Sequence, residues 1–245
     1  DPLNPVDPCV VQGNYIGTDI TGTADLGNSW TGIHIESWDN TIGGVTPSAR
    51  NIISGNDLHG ISILGGYSGN VVQGNYIGTS VDGSAVLGNT YDGVYIINVS
   101  DITIGGTETG AGNTIAKNGR NGVFVFVESG TGNATLGTGI TILGNAIFSN
   151  GGLGIDLAPA GVTANDKGDG DTGANNLQNF PELTSAVLSG GNITIGGTLN
   201  SEAGKTYTLE FFSNTAGHSS GFGEGQNFIG RTMGVLTDDD GNANF

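Results

Sequence analysis

Five times along the chain a glycine is followed by two apolar residues that flank one free position. These words are Gly32-Ile33-His34-Ile35, Gly60-Ile61-Ser62-Ile63, Gly93-Val94-Tyr95-Ile96, Gly122-Val123-Phe124-Val125 and Gly154-Ile155-Asp156-Leu157. Alternation with period two over so few residues predicts short half-buried β-strands and excludes helices. A second short apolar stretch lies around Ile42, Val72, Ile104 and Ile142, and a third near Ile53, Ile77, Ile115 and Ile147. The five glycines are 28, 33, 29 and 32 residues apart, so the chain revisits one station at a nearly constant interval.

Longer words repeat as well. VVQGNYIGTDITGTADLGN at Val10 to Asn28 returns as VVQGNYIGTSVDGSAVLGN at Val71 to Asn89, and Thr41-Ile42-Gly43-Gly44 returns as Thr103-Ile104-Gly105-Gly106. Each long unit therefore holds two short rungs. A rung of this length with two or three strands is too small for a propeller blade of roughly forty residues and lacks the helix of a leucine-rich repeat. A coil of parallel strands remains, each strand pairing with its equivalent about 4.8 Å away in the next rung. Five to six such rungs are expected. The inward Ile, Val and Leu would stack on their counterparts, each Å² removed from water contributing roughly 25 cal/mol.

Asn14, Asn56, Asn75, Asn118 and Asn145 fall where the chain must turn between strands. Asparagine tolerates left-handed backbone and bonds neighbouring backbone groups; stacked in register, these amides would also bond each other. The alternative is a set of ordinary polar loop positions. Glycine, at 47 of 245 residues, is about 19% of the chain against roughly 7% in average proteins, an excess expected from the repeated turns.

The words GNYIGTDITGTADLGN, NTIGGVTPSARNIISGN and FSNGGLGIDLAPAGVTANDKGDGDTGANNLQNFPEL resemble the parallel β-helix repeats of large bacterial and archaeal surface proteins of the CSLREA type, with a pectin-lyase-like architecture. The resemblance runs from about Val10 to Leu183. It implies an extracellular, right-handed parallel β-helix within a longer chain, and no particular reaction. TYTLEFFSN and GFGEGQNFIG resemble the small Ig-like module that follows such helices.

Six basic against 23 acidic residues give a net charge of −17, which repels nucleic acid and anionic membranes. Nucleic-acid binding is not expected. No apolar run approaches the roughly 18 residues of a membrane span. The single cysteine, Cys9, excludes an internal disulfide. Asn98, Asn133 and Asn192 each open an Asn-x-Ser/Thr sequon, a glycosylation acceptor only in a host that glycosylates.

The expected organisation is an all-β chain in four segments. Residues 1–9 form a proline-rich arm, 10–157 the parallel β-helix, 158–183 a cap and acidic linker, and 184–245 an Ig-like antiparallel β-sandwich short of a final strand. Alternation over 184–187, 192–199, 206–213 and 228–235, with turns at Ser189-Gly190-Gly191 and Asp240-Gly241, carries the last of these. A sandwich lacking a strand invites strand addition. Pro5, Val6 and Cys9 of the arm and Phe245 at the module are the residues expected to join copies end to end. A Gly- and Thr-rich insertion, Glu128 to Gly139, reads as a protruding loop.

Candidate chemistry is sparse. A lyase of this architecture needs a basic residue beside carboxylate-held calcium, and the solenoid offers Arg50, Lys117 and Arg120 in loops and corners. A hydrolase needs paired carboxylates at about 5 or 6.5–9.5 Å; the acids between Gly32 and Gly154 fall mostly at turns, and the words around His59 lack a hydrolase pattern. No enzyme activity and no catalytic residue is expected. Asn165, Asp166, Asp169 and Asp171 lie on a Gly-flexible loop with hard oxygen ligands that suit calcium. Among the outward positions His34, Ser62, Tyr95, Phe124 and Asp156, Tyr95 and Phe124 make an aromatic step for a glycan or a protein contact. The resulting expectation is an extracellular structural or adhesive surface protein, with a filament subunit assembling through strand addition at the C-terminal module as its specific form, self-associating or bound to other surface proteins or glycans, and with a carbohydrate-binding or polysaccharide-degrading β-helix as the alternative.

Overall fold

The computed structural model describes residues 7–128, 136–222 and 224–245. Its first fifteen strands are short: β1 (Val10–Val11), β2 (Tyr15–Ile16), β3 (Ile33–Ile35), β4 (Thr41–Gly43), β5 (Ile52–Ile53), β6 (Ile61–Ile63), β7 (Val71–Gln73), β8 (Tyr76–Ile77), β9 (Val94–Ile97), β10 (Thr103–Gly105), β11 (Thr114–Ala116), β12 (Val123–Phe126), β13 (Thr141–Leu143), β14 (Ala146–Phe148) and β15 (Ile155–Leu157). Every third strand joins the same sheet. Sheet one runs β1-β4-β7-β10-β13, sheet two β2-β5-β8-β11-β14 and sheet three β3-β6-β9-β12-β15, and neighbouring strands within each are parallel. The chain is a parallel β-solenoid with three faces, each five strands deep.

Like residues meet across the rungs. Ile33 pairs with Ile61, Ile61 with Val94, Val94 with Val123 and Val123 with Ile155. Ile53, Ile61, Ile63, Val72, Ile77, Val94, Ile96, Ile104, Ile115, Val123 and Val125 are fully buried in one interior. The rung glycines serve this packing and not a turn. A Cβ on Gly93 would lie 2.5 Å from Cγ2 of Ile115 and 2.7 Å from the Gly122 carbonyl oxygen; on Gly122 it would lie 2.4 Å from Cγ2 of Ile147. Part of the glycine excess expected from turns therefore comes from close approach between rungs.

The corner asparagines form two ladders. Between sheets one and two, Asn14, Asn51, Asn75, Asn113 and Asn145 each donate Nδ2 to the Oδ1 of the next. Between sheets two and three, Asn28, Asn56, Asn89, Asn118 and Asn150 do the same. In both, the backbone N–H of each asparagine donates to that same oxygen. The predicted corner residues thus divide between two stacks. At the third corner the ladder is partial: Cys9 N–H donates to Asn40 Oδ1, Asn40 donates to Asn70 Oδ1, and the positions above are the buried Ile102 and Ile140.

The ladders are directional, so the last rung needs acceptors above it. Four residues of the rest of the chain supply them. Asn175, in a short 3-10 turn (Ala174–Leu177), exchanges two hydrogen bonds with the backbone of Ile140. The Glu224 carboxylate accepts the N–H groups of Ser149 and Asn150, standing where a further asparagine would. Glu210 accepts from Gly144 N–H, and Gly225 bridges Ile147. The cap expected from the linker alone is shared with the C-terminal module.

That module holds β16 (Glu182–Ser189), β17 (Asn192–Asn200), β18 (Thr206–Ser213), β19 (Asn227–Leu236) and β20 (Asn242–Asn244). They form an antiparallel sheet in the order β16-β17-β20 and a two-stranded sheet β18-β19. Leu199, Leu209, Val235 and Ala243 make the small core between them, with Tyr207, Phe211 and Phe245 against it.

Candidate functional site

Sheet three carries the outward residues His34, Ser62, Tyr95, Phe124 and Asp156 in register, one per rung. The position before each rung glycine forms a second column, Thr31, His59, Asp92, Asn121 and Leu153. In the upper rungs the two columns meet. The His59 ring stacks on Tyr95 at 4.4 Å and 7°, and Tyr95 stacks on Phe124 at 6.0 Å and 20°. Tyr91 stands edge-on to His59, with the Arg120 guanidinium 4.1 Å over its ring, a cation–π contact.

Two buried carboxylates lie among these rings. Asp92 accepts from Asn121 N–H at 2.9 Å and sits 3.2 Å from His59 Nδ1. Asp156 accepts from Gly161 N–H. Burial is the largest cause holding the Asp156 carboxyl above its ordinary value; the Gly161 and Asn121 bonds oppose it and the Asp92 charge adds to it. The Tyr95 hydroxyl is pushed up by burial first, then by Asp92 and Glu128.

Together with Ala160 and Gly161 after β15, and with His218 and Ser220 from the β18–β19 connection, these groups line a cleft of about 650 Å³. It lies where the solenoid meets the module, a common place for ligand sites. The expected aromatic step is present in altered form. With His59 and Phe124 stacked against it, Tyr95 presents its ring edge and hydroxyl and not an open face. His59 was the residue that sequence reasoning left out of the site. The signal for it was the column before the rung glycines, which puts it beside Asp92.

The acidic linker brings Asp166, Asp169 and Asp171 together, with one carboxylate oxygen from each within 4.8 Å of the others. Asp166 Oδ1 and Asp171 Oδ1 are buried with no hydrogen-bond partner among the described residues. Asp171 is raised by burial and then by the charges of Asp166 and Asp169. Asp169 accepts from Asn179 N–H and from Ser201 Oγ–H, tying the linker to the module. Two orphaned oxygens in a hard, anionic set fit a calcium ion. Asn165 spends its amide elsewhere, clasping both backbone groups of Phe180.

Of the residues expected to join copies, the structure describes Cys9 and Phe245. Pro5 and Val6 lie outside the described residues. Cys9 is exposed at the first rung, and Phe245 exchanges two backbone hydrogen bonds with Gly197 while its ring packs near Phe211. Phe245 thus packs against the core of the sandwich. Asn98 exchanges hydrogen bonds with Glu128, Asn192 is exposed at the start of β17, and Asn133 lies outside the described residues. Among the described residues no helix is long and apolar enough to cross a membrane. No family model, curated protein or solved structure matches this chain.

Proposed function

We propose that the chain is an extracellular adhesive element: a rigid solenoid that holds the cleft over sheet three against a neutral glycan. The observation that carries this reading is the cleft itself, a groove of stacked aromatic rings bordered by Arg120, Asn121, Asp156, His218 and Ser220. Ring edges and the Tyr95 hydroxyl beside fixed donors and acceptors suit the hydroxyl groups of a sugar. Net charge −17 disfavours polyanionic glycans. The cleft carboxylates are committed to backbone amides at Asn121 and Gly161, an arrangement that favours holding over proton transfer.

A glycan array with neutral and acidic oligosaccharides, read with Tyr95→Ala beside the natural chain, tests the proposal. Binding confined to neutral glycans, reduced at least tenfold by the substitution and without release of cleaved product, is expected. Absence of binding, or binding untouched by Tyr95→Ala, overturns it, and cleaved product would establish the carbohydrate-degrading alternative.

The orphaned oxygens of Asp166 and Asp171 favour a second role for this region, a structural calcium that staples the linker to the module. Calcium would hold the three carboxylates and remove their mutual repulsion. Melting in calcium and in chelator should differ by several degrees, and Asp171→Asn should abolish the difference; equal melting temperatures would refute it.

A further inference from the structure

The β16–β17 hairpin differs chemically from the rest of the module. From Leu183 to Ser201 it contains no charged residue, in a chain of net charge −17. Among the described residues β16 is hydrogen-bonded on one side only, to β17, and all eight of its residues are exposed. Natural edge strands are protected by Lys, Pro or inward-pointing charge; between Leu183 and Ser189 there is none of these.

Its side chains are sorted by a bulge. The register skips Thr184, so Leu183, Ala186 and Leu188 oppose Gly197, Ile195 and Ile193, and directly opposed residues share a face. That is the face on which Leu199 enters the core, since alternate residues of β17 point the same way. The opposing sheet has two strands, β18 and β19, and does not reach over β16. Leu183 and Leu188 therefore stay 61% and 75% exposed on what is the inner face of a sandwich.

We infer that β16 pairs antiparallel with β16 of a second copy of this chain, about a twofold axis at Ala186, to make one continuous six-stranded sheet. The strand is self-complementary in that register. Ala186 faces Ala186 of the second copy, Val187 faces Ser185 on the outer surface, and Leu188 lies beside Leu183 on the inner one. Glu182 falls opposite Gly190, so no charge meets another across the pairing. Two strongly acidic molecules repel, and a neutral hairpin is where they meet without that cost. The unpaired N–H and C=O groups of both edges are satisfied at the same time. This contact is independent of the glycan cleft, which lies on sheet three.

Sedimentation velocity of the full chain over a range of concentrations tests the inference. A monomer–dimer equilibrium is expected for the natural chain. Leu188→Lys, at a solvent-exposed position, should weaken dimerisation at least tenfold with an unchanged melting temperature at concentrations where the natural chain is monomeric. Mixing Leu188→Lys chains with Leu183→Glu chains should restore dimers, because those positions adjoin across the axis. Under oxidation, Ala186→Cys in a Cys9→Ser background should give a covalent dimer. A monomer at all concentrations overturns the proposal, as does a dimer indifferent to Leu188→Lys. A dimer lost on removal of residues 1–9 but kept in Leu188→Lys overturns it in favour of arm exchange.

Discussion

Asn118→Ala removes a middle step of the second ladder, and the structure sets its cost. Asn118 Oδ1 accepts both the backbone N–H and the Nδ2 of Asn89, at 3.3 and 2.9 Å, while Asn118 Nδ2 donates to Asn150 Oδ1 at 3.0 Å. Asn89 Nδ2 keeps the Ile53 carbonyl, but the Asn89 N–H, buried in the wall of the solenoid, has no other acceptor among the described residues. An orphaned buried donor costs about 1–3 kcal/mol and each lost amide bond about 1 kcal/mol, so Asn118→Ala should destabilise by about 3–5 kcal/mol. Asn14→Ala is the control. Asn14 is exposed at the first rung, its side chain donates to Asn51 and Gln12, and that side chain accepts from nothing among the described residues; its loss should cost about 1 kcal/mol. Urea unfolding followed by circular dichroism measures both, with a shift in midpoint and an unchanged slope. Two substitutions that agree within about 0.5 kcal/mol would refute the reasoning, because the ladder would then be no stronger inside than at its end.

Gly122→Ala should destabilise by at least about 1–3 kcal/mol through overpacking, since its Cβ would lie 2.4 Å from Ile147 Cγ2; Gly230→Ala, with nothing within 4 Å, should be nearly neutral in the same thermal melt. Glu224→Ala should speed amide exchange at Ser149 and Asn150 at least tenfold, read by hydrogen-exchange mass spectrometry, because both N–H groups lose their carboxylate acceptor. Asp156→Asn carries a pH signature. Burial holds the Asp156 carboxyl above 3.8, so its contribution to stability is complete below that unfolded value and is lost as pH rises through the raised folded one. The neutral variant should melt higher than the natural chain at pH 7, the gap closing below pH 3.8, and a gap that widens in acid would contradict the sign.

The interior of the solenoid was legible because its signal is local and repeated. Each Gly-apolar-x-apolar word marks one rung, and Ile33, Ile61, Val94 and Val123 align once the period is known. The asparagines were legible as corners, but their division into two ladders depends on which pair of sheets each corner joins. Asn14 and Asn56 look alike in sequence and stand in different stacks. The cleft was half legible. Tyr95 and Phe124 follow from the outward column, whereas the orientation of the Tyr95 ring depends on His59 from the neighbouring column, and His218 reaches the cleft from the β18–β19 connection. Glu224 in the place of an asparagine was not legible, since a carboxylate becomes a ladder terminus only when the module docks on the last rung. The Asp166–Asp169–Asp171 cluster was visible as composition; that two of its oxygens lack partners needed the fold.

The central claim is that the cleft above sheet three receives a neutral glycan, and calorimetric titration with a length series of one neutral oligosaccharide tests it most directly. Rungs about 4.8 Å apart advance at a pace comparable to one pyranose unit. Affinity should therefore rise with each sugar until the path from His59 past Tyr95 to Phe124 is covered, then level off, and the gain with length should vanish in the Tyr95→Ala, Phe124→Ala double variant. Affinity that does not depend on length, or a double variant that titrates like the natural chain, would contradict the account.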